Sequence, residues 1–329
     1  MTDAPAESVA AGRAAPAPPF WHRTLFAALA ALCLVPAATP ALALGAGALL
    51  GLTLGNPFPG PSARASKVLL KACVIGLGFG TSLAAVVAVG RAGVGVTALG
   101  IAFALAVGMS LSRLLRVDPT TGALISGGTA VCGGSAIAAL GPVLGAGAEA
   151  MSVALATVFL LNGAALMLFP AVGHALELSQ SQFAVWAAVA IHDTSSVVGA
   201  ASAYGAEALA EATVLKLTRA LWIVPLALAA AAWRKRAGSD SAARVAVPWF
   251  IGGFVLASAA RALVPGAEPL FDLAAAAARQ GLVLTLFLIG AGMSRATMRA
   301  VGVRPFVFGV LLWAIVACAS LAAVVAFVR

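Results

Sequence analysis

The sequence predicts an all-α polytopic membrane protein with about 11 transmembrane helices and glycine-broken helices at its core. Three observations predict this class. Of the 329 residues, 62% are hydrophobic and 9% are charged, whereas about a quarter of the residues in a soluble domain are charged. The mean hydropathy is +1.05. The apolar residues also form runs of about 20, the length that a helix needs to cross a bilayer.

The predicted spans follow one another through short polar connections. Residues 1–20 are rich in Ala and Pro and predict a disordered tail, so we expect one transmembrane domain over residues 21–329. The first two spans form a tight hairpin, for which one kinked helix is the alternative. The predicted spans are Trp21–Ala38, Pro40–Gly55, Val68–Gly90, Ala92–Leu114, Thr120–Leu140, Glu149–Pro170, Gln182–Tyr204, Thr213–Trp233, Val247–Val264, Leu273–Met293 and Arg304–Val328.

Basic residues in the connections predict the orientation. One side of the membrane would carry 14 of the 20 basic residues, and the positive-inside rule makes that side cytoplasmic. The N-terminus is then cytoplasmic and the C-terminus periplasmic or extracellular. The cytoplasmic set is Arg13, Arg23, Arg64, Lys67, Lys71, Arg113, Arg116, Arg234, Lys235, Arg236, Arg244, Arg295, Arg299 and Arg304. The opposite side would hold Arg91, Arg261, Arg279 and Arg329 with Glu149, Glu207, Glu211, Glu268 and Asp272.

An internal similarity indicates inverted repeats. The segments GFGTSLAAVVAVG at 78–90 and GAGMSRATMRAVG at 290–302 lie in the repeat-related segments 68–114 and 273–328. An odd number of predicted spans separates them, so the copies would face opposite ways, as in many secondary transporters. Chance similarity between Gly- and Ala-rich helices is the alternative. The matched pairs are Gly78/Gly290, Gly80/Gly292, Ser82/Ser294, Val89/Val301 and Gly90/Gly302.

A glycine-rich stretch, SGGTAVCGGS at residues 126–135, predicts a break in the span from Thr120 to Leu140. Non-helical backbone survives at membrane depth only where protein or water satisfies its polar groups. A helix that restarts near Ser135 would direct free N–H groups at an anion. Close packing of small residues between helices is the alternative. The candidate substrate ligands here are Thr129, Cys132, Gly133, Gly134 and Ser135.

The segment HDTSS at residues 192–196 places two titratable groups and three hydroxyls inside a predicted span. It begins 10 residues after Gln182, which is about 15 Å along a helix and about half of the hydrocarbon thickness. Intramembrane ionisable groups predict a functional site. An inert buried pair, or an off-centre span, is the alternative. The candidates are His192 and Asp193 for proton coupling, and Thr194, Ser195 and Ser196 for substrate binding.

Two basic residues, Lys216 and Arg219, lie in a further predicted span. Their i, i+3 spacing places both on one face of a helix. Together they could bind an anion, with Arg219 offering a planar fork and Lys216 a point charge. The alternative is that both side chains snorkel to the outer headgroups. Asn162 also lies within a span, where an interhelical hydrogen bond is the more common role.

Several function classes are not favoured. The four cysteines form no CxxC pair and no HExxH pattern occurs, so neither disulfides nor a metal site are predicted. The net charge of +9 lies in the loops and is not interleaved with aromatic residues, so we expect no nucleic-acid partner. Without a P-loop, a nucleophile elbow or a metal set, neither an ATP-driven pump nor an enzyme is favoured. We expect no cofactor, and a homo-oligomer is compatible with the sequence.

Three ordered motifs resemble the YeiH-like bacterial membrane proteins, a sulfate exporter family: GTAVCGGSAIAAL at 128–140, AIHDTSSVVGAASAYG at 190–205 and ATVLKLTRALWIVP at 212–225. The resemblance implies a multi-pass transporter of the bacterial inner membrane, related to cation–proton antiporters and bile-acid symporters, with inverted repeats and crossing broken helices. Many members resemble IHEVAQVV where residues 191–198 read IHDTSSVV. This departure implies that the substrate differs between branches of the family.

These observations lead to two functional hypotheses. The first is a secondary transporter of a small anion, an oxoanion such as sulfate or a sulfonate, with Asp193 and His192 coupling protons. Its partners are the anion and the lipid bilayer. The second is a cation–proton antiporter in which Asp193 is the ion site and the basic residues are structural.

Overall fold

The computed structural model describes residues 19–236, 249–293 and 302–328, and all regular secondary structure in these ranges is α-helical. The predicted all-α class is confirmed. Most of the predicted tail and most of the second copy of the internal similarity lie outside the described residues. The helices are α1 Phe20–Leu32, α2 Pro40–Thr53, α3 Pro59–Gly78, α4 Leu83–Leu114, α5 Pro119–Ala130, α6 Gly134–Leu144, α7 Ala148–Ala175, α8 Gln180–Ala190, α9 Thr194–Tyr204, α10 Ala206–Leu221, α11 Ile223–Arg236, α12 Trp249–Leu263, α13 Glu268–Ala291 and α14 Val303–Phe327.

Among the described residues, five helical segments are long and apolar enough to cross a membrane. They are α4, most of α7, α10 together with α11, α13 and α14. Mean hydropathy over their most apolar windows ranges from 1.6 to 2.6. These lengths and compositions agree with the predicted polytopic membrane protein.

The first helices differ from prediction in their boundaries. α1 and α2 are separate helices, and the Thr39 side chain caps α2 by accepting a hydrogen bond from Leu42 N. α3 begins at Pro59, so the predicted loop before Val68 is largely helical. Proline is well tolerated in a first helical turn because the N–H it lacks has no partner there. The extra turns place the basic residues of this segment on a helix.

The boundary predicted at Gly90 and Arg91 lies inside α4. This helix begins at Leu83, where the Ser82 hydroxyl accepts a hydrogen bond from Ala85 N at 3.2 Å. One glycine inside a helix costs only about 1 kcal/mol, and the Arg91 side chain is exposed at the helix surface. The cap at Ser82 therefore decides where the helix starts.

The segment predicted as one span over 120–140 is folded back on itself. α5 and α6 run antiparallel, with Gly127 against Leu140 and Gly128 against Ile137. Three residues, Val131–Gly133, separate the two helices. We call α5 and α6 hairpin 1 and residues 131–133 its tip.

Hairpin 1 returns to the end of the helix bundle from which it starts. Asp118, at the start of α5, and Glu149, at the start of α7, line one cavity with Pro305. Arg234 donates a hydrogen bond to the carbonyl of Leu144, the last residue of α6, at 2.6 Å. Glu149 therefore lies at the basic end of the bundle, and its prediction on the opposite side is wrong. Hydropathy alone does not distinguish a hairpin of this length, from Pro119 to Leu144, from a span.

The segment predicted as one span over 182–204 is also a hairpin. Oε1 of Gln180, at the start of α8, accepts hydrogen bonds from Glu207 N and Ala208 N, which follow α9. The Tyr204 hydroxyl donates to Leu178 O at 2.5 Å, and its ring stacks on Phe183 at 3.8 Å. We call α8 and α9 hairpin 2 and residues Ile191–Asp193 its tip. Hairpin 2 opens at the end opposite to the basic end.

The helices fall into two packing groups. We call α2, α3, α12 and α13 the scaffold group, and α4–α11 with α14 the hairpin group. Within the scaffold group, glycines allow backbone to approach backbone. Gly78 of α3 meets the carbonyl of Phe254 in α12, and Gly290 of α13 meets the carbonyl of Leu44 in α2. α2 therefore packs on α13 as α12 packs on α3.

Candidate functional site

The tips of the two hairpins meet inside the hairpin group. A Cβ atom at Gly133 would lie 3.2 Å from Asp193 Cβ and 3.5 Å from Asp193 N. Gly133 also has a φ of 62°, a conformation that residues with a side chain rarely adopt. The contact between the tips therefore depends on glycine at this position.

Asp193 is the N-cap of α9, and its carboxylate accepts three hydrogen bonds. Oδ1 accepts from Ser195 Oγ at 2.7 Å and from Ser196 N at 2.6 Å. Oδ2 accepts from Asn162 Nδ2 at 3.1 Å. A carboxylate at a helix N-terminus is also stabilised by the helix dipole. These donors hold the carboxylate in one orientation.

Asn162, in the middle of α7, supports the tip of hairpin 2 with both ends of its amide. Its Oδ1 accepts from His192 N at 3.1 Å while its Nδ2 donates to Asp193. The interhelical hydrogen bonds expected for Asn162 are thus present. They satisfy backbone and side-chain groups that a break would otherwise leave unpaired in an apolar environment.

Lys216 and Arg219 satisfy the carbonyls that the two breaks expose. Both side chains are completely buried, which excludes the snorkelling alternative. Lys216 Nζ donates to the carbonyl of Ile191 at 2.6 Å and to that of Ala188 at 3.3 Å. The last carbonyls of a helix lack intrahelical partners and carry partial negative charge. A basic side chain is therefore well placed at the end of α8.

Arg219 connects the two hairpins. Its Nε donates to Ala130 O at 2.7 Å and its Nη2 to Thr129 O at 3.2 Å, both at the end of α5. Its Nη1 donates to Val189 O at 2.6 Å, near the end of α8. A planar guanidinium can bind several carbonyls at once because its five N–H donors have fixed directions. One side chain thus fixes both hairpins relative to each other.

The charges at the tips match the helix ends they contact. Basic groups lie at the C-terminal ends of α5 and α8, and the Asp193 carboxylate lies at the N-terminal end of α9. The fourth end, the start of α6, has glycine as its N-cap and receives no side-chain cap from the described residues. Its N–H groups are therefore the ones at the tips that no described side chain caps by a hydrogen bond, although Asp193 lies beside its N-cap, Gly133.

A cavity of about 290 Å³ lies between the hairpin group and the scaffold group. Its polar floor consists of Asn162, Asp193, Ser195 and Ser196. At its other end Ser66 and exposed Lys67 of α3 line the wall. The Asp193 carboxylate is therefore reached from the basic end of the bundle. Most of the remaining wall is apolar.

Comparison with known proteins identifies the family. A family model described as conserved hypothetical protein 698 matches residues 24–309. The chain belongs to this family. The expected relationship to the YeiH-like membrane proteins is thereby confirmed. No solved structure matches the chain.

Relatives extend over nearly the whole chain. A UPF0324 membrane protein of Geobacter sulfurreducens is 51% identical over 302 residues, covering 92% of this chain and 96% of the relative. One of Bacteroides thetaiotaomicron is 47% identical, covering 86% of each chain. One of Bdellovibrio bacteriovorus is 44% identical, covering 91% of this chain and 93% of the relative. These relatives are named membrane proteins. The apolar helices of the present chain agree with that description.

The predicted site residues occupy three different environments. Asp193, Ser195 and Ser196 line the cavity. The buried residues at and around the tips are Thr129, Cys132, Gly133, His192, Lys216 and Arg219. Thr194 and Gly134 are half-buried, and Ser135 is exposed on α6. The three predicted polar segments therefore converge, but only one of them reaches the cavity.

Two buried polar side chains near the tips have no partner among the described residues. They are His192, through both ring nitrogens, and Thr129, through its hydroxyl. Neither lines the cavity. Of the two residues predicted to couple protons, Asp193 is the one that the cavity reaches.

Sequence reasoning missed the contribution of α3. The prolines and small polar residues around Ser66 and Lys67 predict a loop, whereas the structure places both residues on α3. The i, i+3 spacing of Lys67 from Arg64 and the two prolines in the first turn were the signals for a helix. Asn162 was placed correctly on a helix, and its pairing with Asp193 needed the fold.

Proposed function

We propose that this protein is a secondary transporter of a small anion, an oxoanion such as sulfate or a sulfonate, coupled to protons through Asp193. The observation that carries the proposal is the position of Asp193. Its carboxylate lies where two hairpin tips meet and forms the floor of a cavity. Broken helices that meet within a membrane protein are a common site for substrate and coupling ions.

In the proposed cycle the Asp193 carboxylate acts as a tethered anion that competes with substrate. It occupies the donors Asn162 Nδ2, Ser195 Oγ and Ser196 N. Protonation removes its charge and weakens these charge-assisted bonds, which frees the donors for the oxygens of an external anion. Proton and anion binding then favour each other, because a coupling free energy acts equally on both ligands.

In this cycle Lys216 and Arg219 do not bind the anion directly. Their donors are used by carbonyls of both hairpins. They hold the tips in register and supply buried positive charge beside the site. An anion at the tips would therefore enter a region whose fixed charge attracts it.

The architecture supports alternating access. We propose that hairpins 1 and 2 are re-entrant and enter the membrane from opposite faces, so that nine of the 11 predicted spans remain as crossings.

We also propose that the helices form two inverted repeats. One repeat consists of α2, α3, α4, hairpin 1 and α7, and their equivalents, in the same order, are α12, α13, α14, hairpin 2 and α10–α11. The matching contacts of Gly78 and Gly290, the first pair in the internal similarity, support this assignment. Inverted repeats allow one site to open to either face.

The basic end supports an orientation in the bacterial inner membrane. Lys67, Arg113, Arg234 and Arg304 lie at this end, and the positive-inside rule makes it cytoplasmic. The N-terminus would then be cytoplasmic, the C-terminus periplasmic, and the cavity open to the cytoplasm. In this state the site could exchange its anion with the cell interior.

The test of Asp193 is proton-linked flux in proteoliposomes. We expect Asp193→Asn to abolish proton movement driven by an anion gradient, because the amide cannot exchange a proton. Anion binding should persist and become independent of pH between about 5 and 8. The matched control is Asp118→Asn, since Asp118 also caps a helix, accepting from Thr121 N at 2.8 Å, but lies outside the cavity. Proton-linked flux at the wild-type rate in Asp193→Asn would contradict the coupling role.

A cation–proton antiporter is the second candidate, and one observation favours it. The cavity floor presents the oxygens of Asp193, Ser195 and Ser196, and oxygen is the ligand that hard cations prefer. This candidate predicts that a sodium or potassium gradient drives proton flux through the purified protein. It also predicts that sulfate and sulfonates leave that flux unchanged. The same proteoliposomes therefore separate the two functions.

A further inference from the structure

We infer that the substrate is an organic anion with an apolar body, such as an alkyl sulfonate or alkyl carboxylate, rather than bare sulfate. This inference rests on the proposed anion transport and adds the substrate class. It follows from the uneven distribution of polar groups around the cavity. One end is polar, and the walls are not.

The polar floor offers donors for one headgroup. Asn162 Nδ2, Ser195 Oγ and Ser196 N converge on the place that the Asp193 carboxylate now fills. A carboxylate or sulfonate has the same arrangement of two or more oxygens on one atom. Such a headgroup can take over these donors once Asp193 is protonated.

The walls between the floor and Lys67 offer almost no hydrogen bonds. Side chains from four helices, α2, α3, α7 and α13, and from the residues just after α13 form them, and the large ones are aliphatic, aromatic or thioether groups. They are Leu44, Leu70, Phe159, Leu160, Leu166, Leu288, Ile289 and Met293. A ligand that fills the cavity therefore contacts apolar side chains over most of its surface.

This environment discriminates between inorganic and organic anions. Sulfate carries charge on every side, so apolar walls would remove its water without replacing the hydrogen bonds. An organic anion turns its apolar part to the same walls and gains free energy from their burial. The cavity volume of about 290 Å³ is close to the lower end of small-molecule sites, about 300–1,000 Å³. It has room for a short chain beyond the headgroup.

The decisive experiment measures binding of a homologous series to the full chain in lipid nanodiscs. Methanesulfonate, ethanesulfonate, propanesulfonate and butanesulfonate are compared with sulfate at pH 5.5, and with protein-free nanodiscs as the partition control. We expect affinity to increase about fourfold per added methylene, as burial of one CH₂ group predicts. Sulfate should bind more weakly than every member of the series.

Wall variants test the location. Leu70→Gln should reduce the chain-length dependence, because Leu70 is one of the apolar residues that line the cavity. Leu69→Gln is the matched control, since Leu69 is the half-buried neighbour on α3 that does not line the cavity. Ala63→Gln adds an amide at an exposed position of the same wall and should have the effect of Leu70→Gln with little cost to folding.

The outcomes separate this inference from the proposed function. If sulfate binds as tightly as butanesulfonate, or affinity does not change with chain length, the organic substrate class is wrong and anion transport stands. If neither sulfate nor any sulfonate binds between pH 5 and 8, and none is transported, the proposed function itself fails. Equal loss of chain-length dependence in Leu69→Gln and Leu70→Gln would place the binding site outside this cavity.

Discussion

At the scale of single residues, Gly133 carries two constraints at once. Its φ of 62° favours glycine, and the tip of hairpin 2 occupies the space where a side chain would lie. Gly145 has almost the same φ, 63°, but its ψ of 35° is that of the left-handed α region, whereas the ψ of Gly133 is −122°. The space beside Gly145 is bounded by the end of the Arg234 side chain. A flexible side chain can move aside, whereas a helix tip held by hydrogen bonds cannot. Gly145 is therefore a control for loss of a positive-φ glycine without tip contact, whereas Gly133 combines tip contact with the greater backbone strain.

This difference makes a paired prediction. Gly145→Ala should lower the free energy of unfolding by about 1–2 kcal/mol, the cost of a left-handed residue. Gly133→Ala should lower it further, because a φ of 62° with a ψ of −122° lies in a region that only glycine adopts readily. Only Gly133→Ala should also reduce anion flux, by at least tenfold, because its methyl group displaces Asp193. Thermal unfolding in detergent and flux in proteoliposomes measure the two effects. Equal flux in the two variants would show that contact between the tips is not required for transport.

The side chains at the tips show what sequence reasoning could reach. It found Asp193, Lys216 and Arg219 because charged residues are rare in apolar segments. It did not find that Lys216 and Arg219 bind backbone carbonyls and do not line the cavity. The carbonyls that they bind lie 25 to 90 positions away in the chain. The residue types indicated which side chains belong to the candidate site. The groups that these side chains bind could be found only from the fold.

At the scale of elements, the two hairpins were only partly predictable. The break in hairpin 1 was predicted from its glycines, and α6 begins at Gly134, one residue from the expected Ser135. The break in hairpin 2 was not predicted, because the sequence around Ile191 has neither glycine nor proline. Asp193 ends the helix there by capping the next one. The reversal of direction was missed in both, since two helices of about 11 residues have the length of one span.

Thiol labelling can test the direction of hairpin 1. With exposed Cys318 replaced by serine, Asp118→Cys and Glu149→Cys should react with a membrane-impermeant maleimide from the same side. Glu207→Cys, next to hairpin 2, should react from the other side. All three positions are exposed, so access differs only by membrane face. A continuous span over 120–140 would instead place Glu149 on the side of Glu207.

At the scale of the whole molecule, the scaffold group and the hairpin group meet at the cavity. Contacts within each group are close, as where Gly78 meets α12. Across the boundary Gly163 of the hairpin group faces the Met293 side chain, which follows α13, and both line the cavity. Movement of one group against the other would open or close the cavity while each group keeps its own packing.

A cross-link across this boundary should stop transport. Gly199→Cys with Leu286→Cys, which face each other across the boundary but do not line the cavity, joined by oxidation to a disulfide, should reduce anion flux at least tenfold while anion binding remains. The control pair is Phe79→Cys with Phe271→Cys, whose rings stack at 5.3 Å within the scaffold group. Cross-linking this pair should leave flux unchanged. Full flux with the boundary cross-link in place would argue against relative movement of the groups.

The shortness of the hairpin helices also has a consequence for biogenesis. The helices α5, α6, α8 and α9 have 11 or 12 residues, or about 17 Å each, which is about half of the hydrocarbon core. None of them can leave the insertion machinery as a spanning helix. Their exposed carbonyls are satisfied by Lys216 and Arg219, which are synthesised after both hairpins. The hairpins can therefore reach their final depth only after α10 has been synthesised and has joined them, so the centre of this protein cannot form in the order of the chain.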